Sequence, residues 1–131
     1  MAKKKDSWSG EERRRYGRVQ AQIALQLSGA DEAFPAESIT TESLNIGAGG
    51  VYCHVGHFIA PLTKMQVTMV LPIRTKKGSV KNEILKADGV VVRCQPSGGE
   101  EGGYQIACFF TGLDDDSRTT IEEYVRQHTS G

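Results

Sequence analysis

The feature that most constrains this chain is the repeated alternation of apolar and polar residues. Val19, Ala21, Ile23, Leu25 and Leu27 interleave with Gln20, Gln22 and Gln26. Val67, Met69, Leu71 and Ile73 repeat the pattern, as do Tyr104, Ile106, Cys108 and Phe110. Side chains of an extended strand point to opposite faces in turn, so a period of two marks a strand with one face on a core and the other in water. Weaker strand signals run from about Ala36 to Ile46, from Val51 to Val55 and from about Ile84 to Cys94, the last containing "GVVVR". Loops separate them: "SGADEAFPAE", a glycine-broken "NIGAGG", a basic "RTKKGSVKN" read as a hairpin loop, and "QPSGGEEGG".

The tail changes period. In "LDDDSRTTIEEYVRQH" the residues Ile121, Tyr124, Val125 and His128 fall at i, i+3, i+4 and i+7, one face of a helix, with His128 expected to pack. Asp115 or Asp116 is the expected cap, and acidic residues suit the positive end of a helix. Short strands and a single terminal helix predict a mainly β chain: a small β-barrel with the helix outside it or across one end. The length of 131 residues fits one domain, with residues 1–10 a polar, mobile arm and residues 11–128 the folded unit.

Formal net charge is zero, so no overall field draws the chain to nucleic acid or membrane. Three cysteines at wide spacing, Cys53, Cys94 and Cys108, argue against a disulfide framework and for a reducing compartment. No apolar run reaches membrane length and no signal peptide is present, so the expected location is the cytoplasm. Cys53, His54 and His57 do not form a usual zinc arrangement, and on a strand Cys53 and His54 point apart; no metal is expected. Asp114 to Asp116 read as a helix start, not a catalytic cluster, and no nucleophile–base pair has supporting context, so no enzymatic activity is expected.

Charge is concentrated in "EERRRYGRV", with four arginines from Arg13 to Arg18. Arg14 and Arg18 stand four residues apart. The guanidinium is a planar fork of donors that pairs with phosphate or with the O6/N7 edge of guanine. "NIGAGG", Asn45 to Gly50, brings glycines that permit positive φ and converging backbone N–H groups, beside an asparagine with both a donor and an acceptor. It lacks the G-K-[ST] of a P-loop and does not fit G-x-G-x-x-G.

In this order the two elements resemble the PilZ domain family, which carries R-x-x-x-R followed by [DN]-x-S-x-x-G. Arg14 and Arg18 match the first motif; Asn45, Gly47 and Gly50 occupy positions of the second. "GVVVR", "YQIACFF" and "LDDDSRTTIEEYV" are also similar to the family, and the resemblance runs from about Glu11 to Gln127. It implies a six-stranded antiparallel β-barrel with a C-terminal helix that binds cyclic di-GMP. Arg14 and Arg18 would grip guanines and phosphates, Asn45 would read a guanine edge, and Gly50 would keep the turn close to the ligand. Binding would fold the arm over the barrel, with Trp8 near enough to report it and a downstream protein reading the change. Arg13 and Arg15 are further contacts of lower weight. The chain departs from the pattern at Gly47, where the family has serine; a hydrogen bond lost to a charged group costs roughly 1.5–3 kcal/mol. Some family members do not bind the nucleotide, so a PilZ-fold adaptor is the alternative, favoured by Gly47. A single-strand nucleic-acid binder is a third reading, and few aromatics outside core-like positions oppose it.

Overall fold

A computed structural model describes residues 18–29, 38–98 and 102–129, with Arg18 described by its backbone alone. The arm, including Trp8 and Arg13 to Arg15, lies outside these residues. The elements are β1 (Arg18–Val19), β2 (Ala24–Gly29), β3 (Ser38–Gly47), β4 (Gly50–Val55), β5 (Lys64–Arg74), β6 (Val80–Pro96), β7 (Tyr104–Gly112) and α1 (Asp115–Thr129). All pairings are antiparallel. The sheet runs β1-β3-β2-β5-β6-β7-β4, and β4 pairs again with β3, so β2 to β7 close in a ring. Six antiparallel strands and one terminal helix are the architecture that the sequence leads one to expect.

Alternation explains the interior. Leu25, Leu27, Val51, Cys53, Met65, Val67, Met69, Leu71, Val91 and Ile106 are buried, each strand giving every second residue to one core. Each fully buried aliphatic side chain contributes roughly 1.5–3 kcal/mol relative to exposure. Helix α1 packs against β5, β1, β3 and β6, and its Ile121 and Tyr124 join the same cluster, so it closes the interior. Its cap is Asp114, one residue before the expected pair: Asp114 Oδ1 accepts the Ser117 N–H at 2.7 Å. That bond, first from the Ser117 backbone and then from its side chain, holds the Asp114 carboxyl below the usual range. His128 is exposed, not packed into the core, and stacks on Tyr124 with ring centroids 4.1 Å apart.

Two departures from the simple alternation matter. The expected single strand from Val19 to Leu27 is interrupted between β1 and β2. There the buried Ser43 replaces a ladder: its hydroxyl accepts the Ile23 N–H at 3.0 Å and donates to the Ala21 carbonyl, while its own N–H bonds the Ile23 carbonyl at 3.0 Å. Ser43→Ala removes the hydroxyl partner of the Ile23 N–H and the Ala21 carbonyl, while the backbone bond to the Ile23 carbonyl stays. It will lower unfolding free energy by about 1–3 kcal/mol in urea titration, with unchanged m-value.

The second departure is the basic segment. Only residues 75–79 are loop; strand β6 begins at Val80, and the β5–β6 hairpin is longer than the sequence suggested. Gly78 takes φ +87°, and Thr75 and Ser79 join through backbone and hydroxyls at the neck. Glycine adopts this left-handed conformation without a Cβ penalty, which fixes where the chain reverses.

Candidate functional site

Positions on the outer face of the ring follow from register. Within β4, Val51, Cys53 and Val55 face the core, so Tyr52 and His54 face out. His54 Nε2 lies 3.2 Å from the Gly102 carbonyl while Cys53 is fully buried, so the two do point apart.

Two bulges shape the outer face beside Tyr52. In β3, Ser43 pairs with Cys53, both in the core, and Asn45 pairs with Tyr52, leaving Leu44 as an extra residue. In β6, Val91 pairs with Cys108 and Arg93 with Ala107, leaving Val92 extra. Strict alternation would send Asn45 and Arg93 inward with Ser43 and Val91. One inserted residue reverses the facing of its successors along the strand, and bulges commonly re-aim side chains at sites. The result is an outward row across four strands: Asn45, Tyr52, Ala107, Arg93. Arg93 Nη2 donates to Tyr52 Oη at 3.2 Å, and its guanidinium lies 5.7 Å from the Tyr52 ring centroid.

The next row is Arg18, Gly47, Gly50, Phe109, Val90. Gly47 and Gly50 present no side chain and are themselves buried. Ala107 lies in register between Tyr52 and Arg93, whose hydrogen bond spans it, and is 4% exposed; Phe109, in the next row, is 57% exposed. Strand β1 brings the second arginine of R-x-x-x-R directly opposite Gly47. Residues of the two motifs thus meet in register although far apart in sequence. Arg14 lies outside the described residues.

Asn45 is the informative member. Its Oδ1 is the one buried side-chain nitrogen or oxygen among the described residues with no hydrogen-bond partner. Orphaned buried acceptors are rare because each forfeits a hydrogen bond to water. A donor from outside the described residues would complete it. Gly50 owes its identity to packing, not to a special φ: a Cβ there would sit 2.2 Å from the Cys108 carbonyl oxygen. Positive φ among the described residues occurs at Leu62, Gly78, Gly98, Gly102 and Gly103, so the expected left-handed glycines of "NIGAGG" are not found.

Beneath this surface lie Cys53 and Cys108. Burial, and for Cys53 also the nearness of Cys108, pushes both thiols from the ordinary 9.0 up to about 12; a backbone hydrogen bond at Val90 partly offsets the rise at Cys108. At pH 8 neither will react with a disulfide reagent in the native protein, whereas unfolded cysteines will. Unfolded thiols ionise first as pH rises, so stability present below pH 9 is lost progressively from there toward pH 12. Free-thiol titration and alkaline unfolding check both statements.

Sequence reasoning singled out Asn45, Gly47 and Gly50 from the second motif. It missed Tyr52, Arg93 and Phe109 as members of this surface. The only available signal was "GVVVR", where an arginine closes an apolar run.

No curated protein sequence matches the chain. Solved structures of similar fold include the Bacillus subtilis inhibitor of motility MotI/DgrA, with TM-score 0.71 and 19% identity over 88% of this chain and 51% of that one. The PilZ domain of Escherichia coli YcgR with c-di-GMP has TM-score 0.59 and 9% identity over 88% of this chain and 90% of that one. The K. pneumonia MrkH–c-di-GMP complex has TM-score 0.61 and 18% identity over 88% and 52%. The chain therefore spans about half the length of the motility inhibitor and of MrkH. The sequence model of the PilZ domain matches residues 12–127. With a match over nearly its whole length, and with this fold, the chain belongs to the PilZ domain family.

Proposed function

We propose that this chain is a cyclic di-GMP receptor domain that binds without catalysing a reaction and passes the signal to a protein partner. The observation that supports the proposal is the backbone register of Arg18 against Gly47, which brings the two motifs together on neighbouring strands, close to the orphaned Asn45 acceptor. YcgR and MrkH have been solved with c-di-GMP, which supports the same ligand here.

The ligand's chemistry fits the surface. Guanine offers N–H donors to the Asn45 oxygen and O6/N7 acceptors to an arginine. Its phosphates suit guanidinium forks from Arg14 and Arg18. Gly47 and Gly50 carry no side chain to hold a flat base away from the backbone, and Tyr52, Arg93 and Phe109 supply ring and guanidinium faces for it to lie against. Gly50 assists through close approach of strands, and Gly47 through absence of bulk. No helix among the described residues is long and apolar enough to cross a membrane, and a cytoplasmic second messenger would reach the receptor in that compartment.

The test is calorimetric titration with cyclic di-GMP, using GTP and cyclic GMP as controls. Saturable binding to cyclic di-GMP alone is expected. Asn45→Ala will weaken it by roughly ten- to a hundredfold, as loss of a hydrogen bond within a charged ligand site costs about 1.5–3 kcal/mol. Gly47 favours a second reading, an adaptor of the same fold that has lost the nucleotide. Absence of heat with wild type, together with binding restored in Gly47→Ser, would select it.

A further inference from the structure

We infer that the outer face of the β5–β6 hairpin tip is a docking surface for an acidic, aliphatic segment of a partner protein. Strand β2 pairs with β5 only from Met65 to Met69, whereas β6 pairs with β5 along its full length to Arg74. Val70–Arg74 and Val80–Ile84 therefore extend past the neighbouring strand as a two-stranded ribbon. An isolated ribbon of this kind is marginal in water and needs a supporting face. Helix α1 provides it: Leu71 is fully buried, Ile73 and Leu85 pack on the core, and the Gln127 amide accepts the Arg74 N–H at 2.9 Å and donates to the Arg74 carbonyl at 3.0 Å.

The opposite face is unsupported. Register puts Val70 beside Ile84, Pro72 beside Asn82 and Arg74 beside Val80. Ile84 is 67% and Val80 63% exposed. Arg74 and Lys86 flank this apolar strip on the same face, and Lys76 and Lys77 stand exposed at the tip. None of these four cations makes an ion pair among the described residues; Lys81 and Glu83 pair with each other on the helix side. In a chain of zero net charge this is a local positive rim around aliphatic side chains.

That composition selects the occupant. Carboxylates complement the rim, and aliphatic side chains cover the strip. The strip holds no aromatic ring for stacking bases, which disfavours nucleic acid, and no aromatic residue of the kind that inserts at a bilayer surface. Strand addition at the β5 edge of the tip is blocked because Pro72 has no N–H and Gln127 already occupies the Arg74 backbone groups.

The experiment is selection of a displayed random-peptide library on the full chain, followed by affinity measurement of the recovered peptides. Peptides rich in Asp, Glu and Leu or Ile are expected. Ile84→Asp and the Lys76→Glu/Lys77→Glu pair should each weaken them at least tenfold, while leaving thermal stability and cyclic di-GMP titration as in wild type. Raised salt should weaken them further. Recovery of no such peptides, or of peptides indifferent to both variants, overturns the proposal. So does equal or stronger loss of hairpin amide NMR signals with phosphatidylglycerol vesicles or single-stranded RNA. Self-association of the chain that Ile84→Asp abolishes would assign the face to a second copy and overturn it too.

Discussion

The Arg14→Ala/Arg18→Ala protein will bind cyclic di-GMP at least a hundredfold more weakly than wild type, to the point of no measurable heat in calorimetry. Two charge-assisted contacts at about 1.5–3 kcal/mol each remove roughly 3–6 kcal/mol, or about two to four powers of ten. Lysine at both positions should recover only part of this, because an ammonium keeps the charge but loses the planar fork. The fold should survive: Arg18 enters the sheet through its backbone pairing with Gly47, which alanine can also make. An unfolding midpoint equal to wild type alongside lost binding therefore assigns the arginines to the ligand. Undiminished binding would remove them from the site and leave the row of Asn45, Tyr52 and Arg93 to explain recognition alone.

Gly50→Ala will be strongly destabilising. The new Cβ would meet the Cys108 carbonyl oxygen at 2.2 Å, with the Cys108 carbonyl carbon and Phe109 Cα each at 3.2 Å. All three are backbone atoms of β7, so no rotamer change relieves the contact; β4 and β7 must separate where they hydrogen-bond. Overpacking of this sort costs about 3 kcal/mol, the upper end of the usual range. For a domain of this size that lowers the melting temperature by roughly 10 °C. Gly56→Ala is the internal control, since a Cβ there meets nothing within 4 Å, and it should melt within a degree or two of wild type. If Gly50→Ala melts like wild type, the close approach of the two strands is not what excludes a side chain there.

Much of the scaffold was legible because burial follows simple alternation in β2 and in the buried part of β5. Leu25 and Leu27, or Val67, Met69 and Leu71, face the core as their spacing implies. The terminal helix was legible from Ile121 and Tyr124, though its cap fell one residue early, since three successive aspartates offer equivalent side chains and only the turn geometry chooses Asp114. The break at residues 20–23 was not visible, because alternation continues through it and the deciding partner, Ser43, lies on another strand. The start of β6 was hidden for the opposite reason: lysines and a serine around Val80 read as loop, while pairing with β5 and support from Gln127 hold them extended. In the candidate site, motif spacing pointed to Asn45, Gly47 and Gly50. Tyr52 and Arg93 join them only through cross-strand register, which no local pattern encodes.

Leu44 and Val92 are each 37% exposed, and neither contributes a polar group to the site. Their importance is arithmetical. Each adds one count to a strand, and the bulge absorbs it, so Asn45 and Arg93 keep the facing that regular pairing opposite Tyr52 and Ala107 gives. Exchanging either residue for another apolar one should leave recognition unchanged, and deleting either makes Ser43 and Asn45, or Val91 and Arg93, direct neighbours on opposite faces, so the polar side chain stays outward. A homologous chain could lack either extra residue and still present these two side chains outward, provided the flanking pairs keep their register.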